Sequence, residues 1–172
     1  GRLSRWDGRL IVGHDGDTVG QSAYLRVDPE ARIAACLLTN SAESATLYRQ
    51  VFGEVFGELT GIALPADPGP ADADPGAAAL ERHAGRYERT SRRFELTVRG
   101  GRLHMVLTMT GELAALTDTE PEELVLYPAD SSGANFVCRS RDDEPWAPLS
   151  FGELADGAPY LFMSGRVTPR VG

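Results

Sequence analysis

Lysine is absent from this chain of 172 residues: all 17 of its basic side chains are arginine. Without lysine, the chain has no Schiff-base amine, no lysine general base and no compact ammonium clamp for a phosphate. Nitrogen bases are therefore confined to three histidines, His14, His83 and His104. The formal net charge of -8 also argues against nucleic acid or an anionic membrane surface as a partner, because both would repel the chain at long range.

Cysteine is scarce and long apolar runs are missing. Cys36 and Cys138 are far apart and neither stands in a C-x-x-C pair, so the sequence predicts two buried thiols, no metal site and no cofactor. No apolar stretch approaches the roughly 18 residues that span a bilayer, and no signal segment opens the chain. We therefore expect a soluble chain without a membrane partner, with a cytoplasmic location favoured. The chain starts at Gly1, inside sequence that already resembles a strand, which favours the interpretation that it is a portion of a longer protein.

Residues 1–62 predict four strands followed by a helix. Asp7-Gly8 suits a tight hairpin turn between the first two strands. Residues 21–29 alternate Ala, Leu and Val with Tyr and Arg, which is typical of a strand, and the continuous apolar run at 31–40 predicts a deeply buried strand. Residues 41–61 change to a helical period. The apolar positions of this helix lie four apart, with two phenylalanines beside them: Leu47, Val51, Val55 and Leu59, with Phe52 and Phe56.

The segment 63–79 is rich in Pro, Ala, Gly and Asp and follows neither period, so we interpret it as a linker that makes few contacts. From residue 80 to 172, short alternating runs recur at intervals of roughly ten residues, including a run at 112–118 and a Gly100-Gly101 hairpin. This spacing predicts about eight strands in an antiparallel barrel or sandwich. The fold class is therefore α+β, with a sheet-and-helix region, a linker and a β-barrel.

The side chains of the second region have plain structural interpretations. His104 is predicted to lie in the core or to line the barrel, and His83, beside the linker, is predicted to be solvated. The acidic run at 142–144 lacks the glycine turn of a calcium loop and predicts a solvated hairpin tip. Four aromatic residues are predicted to fill the barrel core: Trp146, Phe151, Tyr160 and Phe162.

One short motif carries the functional argument. Taken alone, His14 beside glycines is an ordinary polar residue at a strand end. However, it opens an H-x-G that is followed by a strand, an Asp-Pro turn, an apolar strand and a long helix. In this order, "GHDGDTVGQSAYLRV" resembles the H-x-G variant of the K-T-G element in class C-like serine β-lactamases and penicillin-binding-protein-like hydrolases, a branch that includes esterases and D-amino-acid peptidases.

The resemblance implies the C-terminal strands and helix of a β-lactamase-like sheet domain, with roles for three residues. His14 takes the place of the lysine and points at the substrate carboxylate or at the tyrosine of the family's second element. Gly16 lets the substrate approach the strand edge closely, and Asp17 supplies a backbone N–H to the oxyanion hole. His14 is thus the candidate catalytic residue, and Gly16 and Asp17 are the candidate substrate-binding residues.

Two other elements of that family, S-x-x-K and Tyr-x-Asn, do not occur in this sequence. Because they lie upstream in the family, the resemblance implies a missing N-terminal catalytic portion as a partner, and a chain that is inactive alone. The parent protein would hydrolyse an ester, a peptide or other amide, or a lactam through an acyl-serine. Its substrate would be a small molecule.

The second region carries a resemblance of its own. "LERHAGRYE" is similar to the opening of the lipocalin-like C-terminal domains that follow many of these hydrolases, with Gly85 and Tyr87 in place. The implied organisation is a hydrolase portion at 1–62, a linker at 63–79 and an accessory barrel at 80–172. One alternative stays open, a non-catalytic protein whose barrel binds a small apolar ligand.

Overall fold

The computed structural model describes residues 1–18, 20–41, 44–112, 114 and 120–171. The chain divides into two compact units, Gly1–Ala66 and Asp67–Gly172. The first contains a four-stranded sheet with a helix, and the second contains an eight-stranded sheet with a short helix, so the α+β class is confirmed. None of the helices in these ranges has both the length and the apolar character that crossing a membrane requires.

The first unit is an antiparallel sheet whose strands stand side by side in chain order. Asp7 and Gly8 have φ angles of 47° and 82°, as a tight hairpin turn between right-twisted strands requires. The hairpin that the sequence predicts is therefore confirmed. The elements are β1 (Arg2–Trp6), β2 (Arg9–Thr18), β3 (Gln21–Asp28), β4 (Ile33–Thr39) and the helix α1 (Ser44–Thr60).

Helix α1 packs on one face of the sheet through aromatic side chains. Tyr48, Phe52 and Phe56 recur every four residues, with 4.8 Å and 6.1 Å between successive ring centroids. Phe56 also meets Trp6 of β1 edge-on at 5.1 Å. The buried stripe is therefore centred one residue away from the predicted one, and Leu59 is 63% exposed. The rings occupy the centre because they bury more apolar area than the branched aliphatic side chains beside them.

Strands β3 and β4 are buried on one face only. Tyr24 and Arg26 of β3 lie on the helix side, where both bond to residues of α1, whereas Leu25 between them is 38% exposed. Strand β4 alternates half-buried with exposed residues at an edge of the sheet, so the prediction of a deeply buried strand is wrong. Cys36 in this strand is exposed, which also corrects the prediction of a buried thiol. Alanine and leucine occupy both faces of β4, so its sequence alone does not distinguish them.

The sheet face opposite α1, which we call the open face, is apolar. Cross-strand partners share a face, and the register pairs Val12 with Leu3 and Val27, and Ala23 with Leu38. Within the first unit, no described element covers this face. Its exposed large apolar residues are Leu3 (70%), Leu10 (44%), Val12 (36%), Leu25 (38%) and Leu38 (75%).

The second unit is an antiparallel sheet of eight described strands that nearly closes into a barrel. Its strands neighbour one another in chain order, and a bridge between Tyr87 and Arg170 brings the last strand back to the first. Gly100 and Gly101 have φ angles of 56° and 75° at the predicted hairpin. The antiparallel barrel is thus confirmed, while most of the strand predicted at 112–118 falls outside the described residues. The elements are α2 (Ala77–His83), β5 (Gly85–Arg89), β6 (Arg92–Arg99), β7 (Arg102–Met109), β8 (Glu122–Pro128), β9 (Asn135–Cys138), β10 (Ala147–Glu153), β11 (Pro159–Met163) and β12 (Arg166–Pro169).

Hydrophobic side chains fill the interior of the barrel, where thirteen buried residues form one cluster. Of the four aromatic residues predicted for this core, Phe151 alone belongs to it. Trp146 and Tyr160 are half-buried, and Phe162 is 41% exposed. Alternation along β11 explains the difference, because Leu161 faces inward and its two neighbours must then face outward.

The predicted linker makes more contacts than the sequence suggested. The backbone N–H of Ala63 donates to Oδ2 of Asp7 at 2.7 Å, and that of Ala71 donates to the carbonyl oxygen of Pro128 at 2.8 Å. Helix α2 begins at Ala77, still inside the segment 63–79. Alanine is the best helix former, so an alanine run after proline and glycine allows this short helix. The domain limits drawn from the sequence stay a prediction.

Candidate functional site

Strand β2 has one edge without a partner strand along the second half of its length. β1 pairs with residues 9–13 of β2, whereas β3 pairs with residues 12–18. Within the described ranges, no other strand lies against residues 14–18. Alternate backbone N–H and C=O groups on that edge are therefore free to bind an extended ligand.

An ion pair between a buried arginine and a half-buried aspartate lies beneath this strand on the helix side of the sheet. The carboxylate of Asp15 accepts two hydrogen bonds from Arg26, from Nη1 at 2.5 Å and from Nη2 at 3.2 Å. Arg26 is 3% exposed, and its Nε donates to the hydroxyl of Tyr48 in α1 at 3.0 Å. Burial acts to lower the pKa of Arg26, but its hydrogen bonds to Asp15 and its interactions with Tyr48 and the charge of Asp15 outweigh burial and raise that pKa. The Arg26 guanidinium therefore stays charged, and through Asp15 and Tyr48 it ties β2 and β3 to the helix.

Gly13 provides the space that this guanidinium occupies. A Cβ at position 13 would lie 2.6 Å from the carbonyl oxygen of Leu25 and 2.9 Å from Nη1 of Arg26. A larger residue would have to displace the arginine or separate the two strands. Gly13, Arg26 and Asp15 together hold the strand on both sides of residue 14.

His14 projects from this segment on the open face. Its side chain is exposed, and its neighbours across the sheet are Leu25 and then Cys36. It makes no side-chain hydrogen bond or ion pair within the part of the chain that the structure describes. The backbone of His14 is thus held by the strand while its imidazole stays free for a group from outside.

The packing of the chain itself does not require a glycine at position 16. A Cβ there would meet no atom within 4 Å, and Gly16 is not among the glycines with positive φ. Neither crowding nor backbone conformation explains the residue. The free space above Gly16 allows a ligand to approach the strand closely.

A cleft of about 620 Å³ opens beside Gly16 at the end of the sheet. The register places Ala23 and Leu38 next to Gly16 on the open face, so two small residues adjoin one apolar side chain. Both predicted substrate-binding residues border this cleft, whereas His14 stands outside its lining. The residues that line it are Gly16, Asp17, Thr18, Gln21, Ser22, Ala23, Leu38, Thr39 and Asn40.

The other two histidines are engaged in the barrel. His83 stacks on Phe151 at 4.0 Å, and its Nε2 lies 2.7 Å from the carbonyl oxygen of Gly133. Burial lowers the pKa of His83, and the prediction of a solvated side chain is wrong.

His104 points outward from β7, because its two strand neighbours are fully buried, and its Nδ1 lies 3.6 Å from Oε1 of Glu123. The prediction that His104 lines the barrel is therefore also wrong.

The acidic run at 142–144 pairs within its own loop. Arg139 contacts Asp142 at 2.8 Å, and Arg141 contacts Glu144 at 3.1 Å. Among the described residues, no group of three or more His, Cys, Asp or Glu is arranged to hold a metal ion. Burial raises the pKa of the Cys138 thiol to about 11, which makes it a poor nucleophile near neutral pH.

The sequence analysis did not single out Asp15 and Arg26. One signal was present in the sequence. Strand alternation places Arg26 on the same face as Tyr24, an aromatic residue that suits the side facing the aromatic stripe of α1 at Tyr48 and Phe52. The register that brings Asp15 to Arg26 is a property of the folded sheet.

Comparison with known proteins finds partial relatives. No family model matches the sequence. Over 76 residues, the chain is 41% identical to Penicillin-binding protein 4 of Amycolatopsis lactamdurans, a match that covers 41% of this chain and 20% of that protein. Crystal structures of SurE with D-Leu and of SurE superpose on 94% of this chain, with TM-scores of 0.56 and 0.58 and identities of 25% and 24%. The chain spans about a third of SurE, 35% and 34% in the two structures. It is thus similar in part of its sequence to a penicillin-binding protein and in fold to part of SurE.

Proposed function

We propose that this chain is the C-terminal portion of a penicillin-binding-protein-like serine hydrolase of the class C-like, esterase-type branch. Residues 1–62 would complete the catalytic domain, with His14, Gly16 and Asp17 at the substrate. Residues 63–79 would link this portion to an accessory lipocalin-like barrel at 80–172. The partners in this proposal are a small-molecule substrate and the missing N-terminal catalytic portion, with no role for nucleic acid or a membrane.

The observation that carries the proposal is the unpaired edge of β2 at residues 14–18. An extended substrate could add to this edge through backbone hydrogen bonds, as ligands of exposed strands do. The empty space above Gly16 and the adjoining cleft lie where such a substrate would continue. An H-x-G on an accessible strand edge is also the context in which the resemblance places the motif.

The serine nucleophile would come from a portion of the protein outside this chain. S-x-x-K cannot occur in a sequence without lysine, and the chain spans a fifth of the penicillin-binding protein and a third of SurE. The open face supports the same proposal. Five large apolar side chains exposed on one sheet face are typical of a surface that another segment covers.

In the proposed reaction, the serine Oγ attacks the substrate carbonyl carbon while a base in the missing portion takes its proton. The backbone N–H of Asp17 and that of the nucleophile would stabilise the oxyanion. The leaving group departs with a proton, and water then hydrolyses the acyl-serine. His14 would hydrogen-bond the substrate carboxylate or the family tyrosine, and the pair of Asp15 and Arg26 would hold the strand that carries it.

The substrate class in this proposal is an ester, amide or lactam whose acyl part contains a D-amino-acid residue. SurE, which shares the fold, was solved with D-Leu. In this chain, Gly16 and Ala23 leave room for a backbone, and Leu38 offers an apolar wall for a branched aliphatic side chain.

The test compares His14→Ala with His104→Ala in the full-length parent protein. Loss of one positioned hydrogen-bonding group at His14 should lower kcat/KM for p-nitrophenyl esters or nitrocefin by roughly 10²- to 10³-fold. His104→Ala should change it little, because His104 lies on the outer face of the barrel. The 172-residue chain alone should show no turnover and no fluorophosphonate labelling. Labelling of this chain, or equally small effects of the two substitutions, would contradict the proposal.

The alternative of a barrel that binds an apolar ligand gains no specific support. Thirteen buried side chains pack together where such a ligand would lie. A barrel of this strand number has room for side chains or for one small ligand, and here the side chains occupy it.

A further inference from the structure

Three arginines point into one mouth of the barrel. Side chains two positions apart on a strand share a face. On β5, β6 and β12, this rule gives Arg89, Arg92 and Arg166 the same orientation as an inward-facing residue two positions away. Those inward-facing residues are Tyr87, Phe94 and Thr168, each 1% exposed.

Strand pairing brings the three arginines to the same end of the barrel. Arg89 and Arg92 are direct cross-strand partners in the hairpin of β5 and β6. The antiparallel bridge between Tyr87 and Arg170 places the start of β12, where Arg166 stands, beside the end of β5. A cavity of about 620 Å³ lies at this point, lined by Arg89, Thr90, Ser91, Gly165, Arg166 and Val167. Arg92 stands outside this lining, near enough for its charge to act on Arg89.

None of the three has an acidic partner among the residues that the structure describes. The contrast with Arg93 is direct, because this outward-facing neighbour of Arg92 pairs with Glu88 at 3.4 Å. Nε of Arg89 is buried and has no hydrogen-bond partner in the same ranges. A buried donor without a partner is unfavourable, and native proteins normally satisfy such groups with protein, water or a ligand.

Among the described residues, the mouth therefore carries positive charge without an acidic partner, in a chain that is acidic overall. Burial, followed by the charges of Arg92 and Arg166, lowers the pKa of Arg89. The carboxylate of Glu122, at the same end of β8, accepts a hydrogen bond from Ser140 instead of pairing with the arginines. An anion bound between the arginines would remove their mutual repulsion and satisfy Arg89.

We propose that this barrel mouth binds a multiply charged anion of the phosphate class. The planar fork of arginine matches the oxygens of a phosphate, and the hydroxyls of Thr90 and Ser91 stand at the same cavity as further donors. A single carboxylate would leave most of the positive charge of three guanidinium groups unbalanced. All residues that line this cavity belong to the second unit, so the proposal does not rest on the proposed hydrolase function.

Calorimetric titration of the 172-residue chain tests the proposal, with inorganic pyrophosphate, inorganic phosphate and acetate at matched, low ionic strength. Pyrophosphate should bind most tightly and acetate most weakly. Arg166→Gln removes a guanidinium that lines the cavity and should weaken pyrophosphate binding roughly 10- to 100-fold, the range for loss of a charge-assisted hydrogen bond. Arg166 is exposed, so the substitution should be tolerated, and Arg92→Gln, whose charge lies near Arg89, should weaken binding in the same direction.

Arg93→Gln is the matched control, because it removes the same charge from the adjacent position on the outer face. It should leave the affinity for pyrophosphate within about twofold of the unsubstituted chain, since a surface pair contributes little. Three results would each overturn the proposal: no pyrophosphate binding, acetate binding as tight as that of pyrophosphate, or equal losses in Arg166→Gln and Arg93→Gln.

Discussion

The barrel buries its apolar surface in its interior, whereas the four-stranded sheet leaves one of its two apolar faces exposed. The barrel wraps eight described strands around thirteen buried side chains and brings its two edges together at Tyr87 and Arg170. The sheet buries one face under α1 and leaves five large apolar residues exposed on the other. Burial of apolar area contributes about 25 cal/mol per Å², so the sheet gives up stability that the barrel gains. Curvature lets one sheet cover itself, whereas a flat sheet needs a second layer on each apolar face.

The largest effect should follow from a cavity in the barrel core. Phe94→Ala should lower the free energy of unfolding by about 3–5 kcal/mol, because Phe94 is 1% exposed within the buried cluster. Denaturant unfolding can be followed through Trp146 in a Trp6→Phe background, which removes the fluorescence of the sheet. Phe162→Ala, at a residue 41% exposed, is the control and should lower the free energy by less than about 1 kcal/mol. Equal losses would show that the barrel interior is not the packed core described above.

A smaller effect is expected on the open face. We expect the 172-residue chain to self-associate through this face, and Leu3→Glu should weaken association by roughly 10- to 100-fold, since burial of a leucine contributes about 1.5–3 kcal/mol. Leu3 is 70% exposed and lies away from the β2 cleft, so a change there leaves the candidate site intact. Sedimentation equilibrium measures the association constant. Leu154→Glu, at an exposed leucine of the barrel, should leave it unchanged. A chain that stays monomeric at all measured concentrations would contradict this prediction.

The smallest effect concerns His83 and the pH dependence of barrel stability. Burial lowers the pKa of His83 in the folded state, so the unfolded state binds the proton more readily and stability rises with pH. The stabilisation is complete above the unfolded value of about 6.5 and is lost as the pH falls through it toward the lower folded value. The denaturant concentration at the unfolding midpoint, followed by Trp146 fluorescence, should therefore fall as the pH is lowered from about 7.5 to about 5.5. His83→Phe keeps a ring against Phe151 and should reduce this fall, while His104→Ala should not. An unchanged fall in His83→Phe would assign the pH dependence to other groups.

Much of the architecture was accessible from local sequence signals. The hairpins at Asp7-Gly8 and Gly100-Gly101 were predicted because a two-residue turn needs residues that tolerate positive φ. Helix α1 was predicted from its period, with Phe52 and Phe56 beside a stripe of aliphatic residues, whereas in the structure these two phenylalanines are the buried centre of the stripe. Period identifies a helix, whereas the exact centre of its buried face depends on the surface that it meets.

The candidate site was predictable in part. Gly16 and Asp17 border a cleft, and His14 stands free on an exposed strand, but their assigned roles stay predictions. The pair of Asp15 and Arg26, which holds the strand beneath His14, escaped the sequence analysis. Its two members belong to different strands, so the pairing depends on register.

The sequence by itself determined the order of the strands and of helix α1, their approximate lengths and the absence of lysine chemistry, because period, turn residues and composition are local properties of the chain. Only the tertiary structure decided which face of each strand is buried. Leu25 and Cys36 are exposed because α1 covers the other side of the sheet. Closure of the barrel likewise brought Arg166 to the hairpin of Arg89 and Arg92, since strand order and register join residues that are distant in sequence.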